Sequence, residues 1–276
     1  MVEIAAFMMI ASGAIHAVVN AVLKSGDDKL ASRALIDLSG GLLVLPAIFF
    51  FPAPHGAWGW LAGSLAVHAV YFLALVRAFE VADMSASYPV MRGTAPVFAA
   101  LGGVVLLGDA ITLPVAIGMG LVTTGILLSA IGRNLSRAAL GYSLLTGLAV
   151  ACYTVLDAGG VRAAPSPLSY IAWAFFVLGA VIGAAFGAWR GRDFIAYTRA
   201  NWRPCVLAGA MGVVSYGLAM LAYSVGELPR LAPLRESSIL FALVIAVLFL
   251  GEKADRLKLA GGAIIFAGVV TLLLAR

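Results

Sequence analysis

Long apolar segments, separated by short charged or Pro/Gly-rich stretches, make up almost the whole chain. A transmembrane helix needs about 20 mostly apolar residues. Dividing the chain at the polar stretches gives ten such segments, approximately 3–24, 31–51, 57–81, 84–107, 112–132, 138–160, 167–190, 202–226, 229–250 and 257–275. The pattern therefore predicts an all-α, polytopic membrane protein with ten transmembrane helices joined by short connections.

The composition makes lipid the solvent for most of the chain. Of the 276 residues, 63% are hydrophobic and 11% charged, and the mean hydropathy is +1.05, whereas soluble domains contain about 25% charged residues. A water-soluble globule is excluded, and no space remains for a separate soluble domain. The first segment carries Glu3 in place of the basic start of a secretory signal, so we expect it to be retained as helix 1.

The basic residues lie mainly on one side of the predicted membrane. Twelve Lys and Arg residues fall in the connections that follow odd-numbered helices. The opposite connections and the C-terminus hold only Arg162, Arg230 and Arg276. The positive-inside rule places the first set in the cytoplasm and both termini outside, in a bacterial inner membrane. The net charge of +5 thus reflects topology, and no nucleic-acid partner is expected.

An internal repeat divides the chain into two halves, because residues 69–132 resemble residues 214–275. The matched residues are Arg92, Thr94, Gly108, Asp109, Gly118 and Gly125, with Arg235, Ser237, Gly251, Glu252, Gly261 and Gly268. Pro89 recurs one position out of step as Pro233. We therefore predict two five-helix repeats, 1–135 and 136–276. Since five crossings is an odd number, the second repeat is expected to be inverted relative to the first.

The division between helices 3 and 4, at Ala82 and Asp83, is the weakest in the pattern. A nine-helix arrangement would follow without it. Gly226 and Glu227 supply the corresponding break in the second repeat and favour ten helices.

Regularly spaced glycines predict close contacts between helices, because small residues let two backbones approach. Such glycines are Gly118 and Gly125 on helix 5, Gly179, Gly183 and Gly187 on helix 7, and Gly261 and Gly268 on helix 10.

Two segments carry a family resemblance. They are YPVMRGTAPVFAALGGVVLLGDAITLPVAIGMGLVTTGILL (88–128) and APLRESSILFALVIAVLFLGEKADRLKLAGGAIIFAGVVTLLL (232–274). Each has a Pro-bearing helix, a Gly-Asp or Gly-Glu turn and a glycine-striped helix, and each resembles an EamA-type repeat of the drug/metabolite transporter superfamily. Within that superfamily the chain is most similar to the YddG-type aromatic amino-acid exporters.

The resemblance implies helices 3, 4, 8 and 9 around a central cavity, helices 5 and 10 at the periphery, and export of small metabolites. Inverted repeats and kinked, pseudo-equivalent helices suit alternating access. We expect aromatic or large neutral amino acids as solutes; the alternative is another small metabolite or drug-like solute. The four-helix multidrug members use a membrane-embedded glutamate in helix 1, whereas helix 1 here has only Glu3, at its end. Cation-for-proton exchange by that device is therefore not expected.

Two other classes of function remain as alternatives, an intramembrane enzyme and a non-transporting membrane subunit. An enzyme would need paired metal-binding aspartates, H-E-x-x-H, G-x-S-x-G or a phosphate loop, none of which the sequence contains. Cys152 and Cys205 form no C-x-x-C pair, so neither a disulfide framework nor a metal site is indicated. We expect no cofactor, no obligate protein partner and no catalytic residues.

Ionisable residues inside the predicted helices are the main site candidates, because each costs about 3 kcal/mol to insert into lipid unless it reaches water or a partner. Arg92 and Arg235 either extend to the nearer interface or face the cavity, where a guanidinium suits a substrate carboxylate. Glu236 is the leading candidate for an ammonium or a proton; alternatively, it is tied to serines such as Ser237. Asp157 is a weaker candidate.

Polar aromatic residues and their neighbours complete the predicted binding set, since stacked rings with polar tips suit a planar solute. They are His16, Asn20, His68, Tyr71, Tyr88, Tyr153, Trp173, Tyr216 and Tyr223. For each, packing within the membrane is the simpler alternative. Trp58, Trp60, Trp189 and Trp202 lie at helix ends and are expected at the membrane interface.

Pro89 and Pro233 precede the two arginines in the repeat. A proline removes one helical hydrogen bond. We therefore predict that both prolines kink their helices and act as gating points.

Overall fold

The computed structural model describes residues 2–25, 27–82, 84–129, 131, 135–248 and 256–275, and these ranges contain helices and no strand. The helices are α1 (Val2–Ser25), α2 (Lys29–Val44), α3 (Trp58–Val81), α4 (Met84–Gly102), α5 (Leu113–Leu128), α6 (Arg137–Ala163), α7 (Pro167–Arg190), α8 (Arg192–Tyr223), α9 (Leu228–Leu234), α10 (Ser238–Leu248) and α11 (Arg256–Leu274). The all-α prediction is confirmed.

Eight helical stretches in the described ranges are long and apolar enough to cross a membrane. Helix α5 is apolar but has only 16 residues, and α9 and α10 together occupy the position of the predicted helix 9. The predicted break between helices 3 and 4 is present, because Ala82 is extended after the end of α3. Asp83 lies outside the described residues.

Local sequence explains several helix ends. The carboxylate of Asp28 accepts hydrogen bonds from the amides of Leu30 (3.1 Å) and Ala31 (2.9 Å) and so caps α2. Ser136 caps α6 in the same way through the amide of Ala139. Helix α4 continues into a π-helical turn at Gly103–Leu107 and ends at Gly108, whose positive φ of 73° favours glycine.

Helix α8 begins ten residues earlier than the predicted start at 202, so the expected connection before it is wrong. Its 32 residues correspond to about 48 Å, against about 30 Å of hydrocarbon. The polar first third of α8 can therefore stay helical beyond the apolar layer. Arg199 and Arg203, assigned to a loop by composition, lie in this helix.

The predicted continuous helix 9 is also wrong. Helix α9 ends at Leu234, a 3₁₀ turn follows over Arg235–Ser237, and α10 begins at Ser238. Pro233 lies just before the turn, and its missing N–H and its ring both disfavour a continuous α-helix. At Pro89, in contrast, α4 remains an α-helix.

The helices pack in a regular set of pairs. Helices α3 and α4 lie against α6, while α8, α9 and α10 lie against α1. Helix α2 contacts α7 and α8, and α5 contacts α11. The side chains that line the main cavity, described below, include none from α5 or α11, as expected for peripheral helices.

The predicted glycine contacts are largely confirmed. A Cβ added at Gly125 would lie 2.6 Å from the carbonyl oxygen of Gly261, and one at Gly268 would lie 2.8 Å from that of Gly118. The backbones of α5 and α11 therefore touch at both levels. On α7, Gly179 and Gly183 contact α2, whereas Gly187 faces open space.

Large apolar side chains cover the outside of the protein, which suits a lipid environment. Those most exposed include Phe49, Phe50, Val105, Leu113 and Leu274. Trp58, Trp189 and Trp202 are also exposed, in keeping with the interface prediction. Trp60 differs, since its ring packs against Gly159 of α6, where a Cβ would lie only 2.5 Å from the ring.

Candidate functional site

A cavity of about 190 Å³ lies in the centre of the bundle. Side chains from α1, α2, α3, α4, α6, α7 and α8 line it, together with Arg235 from the 3₁₀ turn. The lining thus includes more helices than the four implied by the resemblance.

One end of the cavity opens between helix ends. Lys29 at the start of α2 is exposed and Phe79 near the end of α3 is half-buried, whereas Asp157 and Met220, at the other end, are buried. The open end therefore faces the side of the α1–α2 connection.

A hydrogen-bonded network closes the opposite side of the protein. The guanidinium of Arg162, at the end of α6, donates to both carboxylate oxygens of Asp109 (2.7 and 3.2 Å) and to the carbonyls of Tyr223 (2.9 Å) and Gly226 (2.8 Å). Asp109 also accepts from the amide of Leu228 (2.8 Å). We call these five residues the closed-end network. It joins the end of α4 to the ends of α6 and α8 and to the start of α9.

Two ion pairs lie along the cavity. Nε of Arg33 is 2.8 Å from Asp37 on α2. Nε of Arg92 on α4 is 2.9 Å from Oε2 of Glu236, close enough for an ion pair although not aligned as a hydrogen bond. Arg92 also donates to the hydroxyl of Ser238 (2.9 Å). These contacts tie α4 to the turn that divides α9 from α10.

Arg235 has no carboxylate partner among the described residues. Its Nε donates to the hydroxyl of Ser12 on α1 (3.3 Å), and its Cζ lies 4.9 Å from the centre of the Tyr216 ring, a cation–π distance. Ser12 in turn accepts, at its carbonyl, from the hydroxyl of Ser215 (2.8 Å). The guanidinium lines the cavity and is available to an anion.

Asp157 is an anion in the same cavity as the cationic Arg235. It lies on α6, is only 2% exposed and also lines the cavity. Its two oxygens accept hydrogen bonds from Tyr170 (2.9 Å) and Tyr216 (2.7 Å). Both donors are neutral, and none of the described Lys, Arg or His side chains forms an ion pair with this carboxylate.

Aromatic rings form one wall between these charges. His68 stacks on Tyr153 at 4.1 Å, and Tyr71 and Tyr216 meet Tyr153 edge-on at 5.7 and 6.2 Å. Nδ1 of His68 donates to the carbonyl of Ser64 (2.9 Å). This wall could stack against a planar ring.

Nearer the open end, the amide of Asn20 donates to the hydroxyl of Tyr88 (3.2 Å), and the ring of Tyr88 lies 5.9 Å from Cζ of Arg92. His16 lines the cavity one turn before Asn20 on α1. These side chains link α1 to α4.

Most of the predicted site residues come together at this cavity. The lining contains His16, Asn20, His68, Tyr71, Tyr88, Arg92, Tyr153, Tyr216 and Arg235. Trp173 does not line it, because its ring faces Trp58 at 5.2 Å. Glu236 lines only a second cavity of about 20 Å³ beside the two arginines. Tyr223 is buried among core side chains.

The sequence reasoning missed Arg33 and Asp37. The charge pattern assigns Arg33 to the connection between helices 1 and 2, together with the basic residues Lys24 and Lys29. Its spacing of four residues from Asp37 is the signal of a helical ion pair, and that signal was available in the sequence. Ser12 and Ser215 gave no signal, since single serines are common in membrane helices.

Comparison with known proteins agrees with this architecture. Residues 137–274, half of the chain, match the EamA-like transporter family. The chain belongs to this family. The matched range is almost the same as the second repeat predicted from the sequence.

One sequence relative and one solved structure are also similar to this EamA-like protein. An "Uncharacterized transporter in cobO 3'region" from Sinorhizobium sp. is 34% identical over 93 residues, which are 34% of this chain and 64% of that protein. A solved crystal structure aligns over 98% of this chain and 95% of its own, with a TM-score of 0.70 and 16% identity. At that identity the second likeness shows the fold alone.

Proposed function

We propose that this protein is a secondary transporter that exports small zwitterionic metabolites, in the first place aromatic or large neutral amino acids, through the central cavity. The main observation in support is Arg235, a cation without a carboxylate partner among the described residues, in a cavity with an aromatic wall. A guanidinium suits a carboxylate, and stacked rings suit an aromatic side chain.

Alternating access is supported by the fact that the cavity is open at one end and closed at the other. The cavity is open beside Lys29, while the closed-end network joins helix ends on the other side. By the charge distribution, the open end faces the cytoplasm, where an exporter takes up its solute. Opening the closed-end network and closing the other end would complete the cycle.

An inverted pair of repeats is supported by the packing partners. In the predicted repeats the counterparts are α1 and α6, α2 and α7, α3 and α8, α4 and the α9–α10 pair, and α5 and α11. Exchanging counterparts converts the contact between α3 and α6 into the contact between α8 and α1. It also converts the contact between α4 and α6 into the contacts of α9 and α10 with α1. The α2–α7 and α5–α11 contacts are each converted into themselves. This is the pattern that a pseudo-two-fold axis produces, and the odd number of crossings predicted in each repeat requires that axis to lie in the membrane plane.

The division of α9 from α10 also supports transport. Interrupted helices near the middle of a membrane leave backbone groups and buried side chains free to bind solutes. Here the interruption holds Arg235 and Glu236 and contacts α1, where a Cβ at Gly13 would lie 3.0 Å from the carbonyl oxygen of Arg235.

A flux assay in proteoliposomes tests the proposal. We expect wild-type protein to move phenylalanine or leucine, and Arg235→Gln to lower the flux at subsaturating solute roughly tenfold or more, since a charged hydrogen bond contributes about 1.5–3 kcal/mol. Arg77→Gln is the matched control because Arg77 pairs with Glu80 on the exposed surface of α3. No flux of any amino acid by wild-type protein would contradict the substrate class.

A further inference from the structure

We propose that Asp157 is the ammonium-binding group of the cavity, so that the solute is held through a protonated amine at Asp157 and a carboxylate at Arg235. This inference rests on the proposed function and assigns the second half of the zwitterion. It assigns the ammonium to Asp157 and not to Glu236, the acid that the sequence analysis favours.

The carboxylate of Asp157 is positioned but not neutralised. Tyr170 and Tyr216 each donate one hydroxyl hydrogen bond, one to each oxygen. A carboxylate oxygen can accept more than one hydrogen bond. Each oxygen therefore keeps acceptor capacity for the N–H groups of an ammonium. Across the ranges that the structure describes, no protein cation fills that place.

The orientation of this carboxylate is fixed from outside the cavity. Tyr170 is fully buried and does not line the cavity. It fits against α6 because residue 160 is a glycine; a Cβ there would lie 2.1 Å from the tyrosine ring. Tyr170 therefore holds one oxygen of Asp157 while the group remains part of the cavity wall.

Tyr216 connects the two unpaired charges. Its hydroxyl donates to Asp157 (2.7 Å), and its ring lies 4.9 Å from Cζ of Arg235. The cation and the anion thus contact the same tyrosine, one at its ring and the other at its hydroxyl. An α-amino acid between them would place its carboxylate and its ammonium toward opposite charges.

The other acids near the cavity already have cationic partners. Glu236 lies 2.9 Å from Nε of Arg92, and Asp37 lies 2.8 Å from Nε of Arg33. After these two pairs are formed, Arg235 and Asp157 remain as one positive and one negative group inside the cavity, while Lys29 is exposed at its open end. A zwitterion neutralises both, whereas a simple amine or a simple carboxylate neutralises only one.

The test compares three probes that differ only at the charged groups. They are phenylalanine, phenethylamine, which lacks the carboxylate, and N-acetylphenylalanine, which lacks the ammonium. Binding to purified wild-type protein, Asp157→Asn and Asp157→Glu is measured by calorimetry, and thermal unfolding checks that each variant is folded. Flux of phenylalanine by wild-type protein and by Asp157→Asn is measured in parallel.

We expect wild-type protein to bind phenylalanine at least roughly tenfold more tightly than N-acetylphenylalanine, because a charge-assisted hydrogen bond is lost. Asp157→Asn should remove most of this preference and weaken phenethylamine binding to a similar degree. Asp157→Glu should retain the preference, because it keeps the charge. If Asp157→Asn does not fold, Tyr170→Phe replaces it and should reduce the preference severalfold.

Two results would overturn the inference. One is an unchanged preference in folded Asp157→Asn or, in its place, folded Tyr170→Phe; the other is failure of wild-type protein to bind either phenylalanine or phenethylamine. Absence of phenylalanine flux with Asp157-dependent binding of phenethylamine would overturn the transport proposal but support the amine site. Normal phenylalanine flux in both wild type and Asp157→Asn, with an unchanged preference for phenylalanine over N-acetylphenylalanine, would support the transport proposal and overturn the amine site.

Discussion

The two ends of the cavity are held by different kinds of contact. At the closed end, Arg162 makes four hydrogen bonds that join two carboxylate oxygens and two backbone carbonyls. At the open end, Asp28 caps α2 and pairs with Arg190 at the end of α7, and both side chains are partly exposed. The first set joins four helix ends, whereas the second joins only two.

The difference shows that the closed end, and not the open end, depends on a specific hydrogen-bond network. Asp109, at the centre of the closed-end network, is 8% exposed, and removing its partner would leave a buried carboxylate without a cation. Contacts at the open end are solvated, so losing one costs little. In the repeat the counterpart of Asp109 is Glu252, which lies outside the described residues.

The largest expected effect comes from Arg162→Gln. Loss of the charged hydrogen bonds should destabilise the closed end by about 2–3 kcal/mol, equivalent to a population shift of about 30- to 150-fold. The measurement is the rate at which a membrane-impermeant maleimide labels Cys introduced at Leu231, a residue 1% exposed beside this network, with Cys152 and Cys205 replaced by Ser. We expect labelling to accelerate.

Arg77→Gln in the same background is the control, since Arg77 is far more exposed and lies on α3. Equal labelling rates for Arg162→Gln and Arg77→Gln would show that the network does not hold this end closed.

A smaller effect is expected from Gly125→Ala, which changes neither end. The new Cβ would lie 2.6 Å from the carbonyl oxygen of Gly261, so α5 and α11 would have to separate. We expect a loss of about 1–3 kcal/mol in unfolding free energy, measured by thermal unfolding in detergent, with no change in labelling at position 231.

Gly120→Ala on the same helix is the matched control, because a Cβ there meets no atom within 4 Å. Alanine also has the higher helix propensity, so Gly120→Ala should not lose stability. A loss as large in Gly120→Ala as in Gly125→Ala would mean that the contact with α11 does not decide the outcome.

The smallest effect is expected at the open end, from Asp28→Asn. Burial alone would raise the pKa of Asp28, but hydrogen bonds from the Ala31 amide and Arg190 outweigh it and hold the pKa below its ordinary value. The charge therefore stabilises the fold above the unfolded-state pKa of about 3.9, and this contribution is lost as pH falls through the lower folded-state pKa.

Asparagine keeps the helix cap, so Asp28→Asn isolates the charge. We expect wild-type protein to exceed this variant in stability by less than about 1 kcal/mol near neutral pH, and the difference to disappear as the pH falls through the lowered folded-state pKa of Asp28. A difference that grows as the pH is lowered would contradict the assignment. Thermal unfolding across this pH range provides the measurement.

Sequence patterns predicted the helices best where apolar length alone decided them. The glycine contacts between α5 and α11 also followed from spacing, because a small residue at every second turn permits close approach whatever lies around it. Composition failed at α8 and at the division of α9 from α10. At α8, a basic stretch is assigned to a connection by composition even when it is helical. At α9 and α10, a single proline does not specify whether the helix bends or breaks.

The sequence by itself determined that the chain is an all-helical membrane protein and which few polar residues lie within its apolar segments, since the cost of charge in lipid makes those residues conspicuous. Only the tertiary structure decided how they pair. Ion pairing depends on distances between helices that are far apart in the chain. These distances pair Glu236 with Arg92 and place Trp173 against Trp58, outside the cavity. They also bring Arg235 and Asp157 into contact with the same residue, Tyr216.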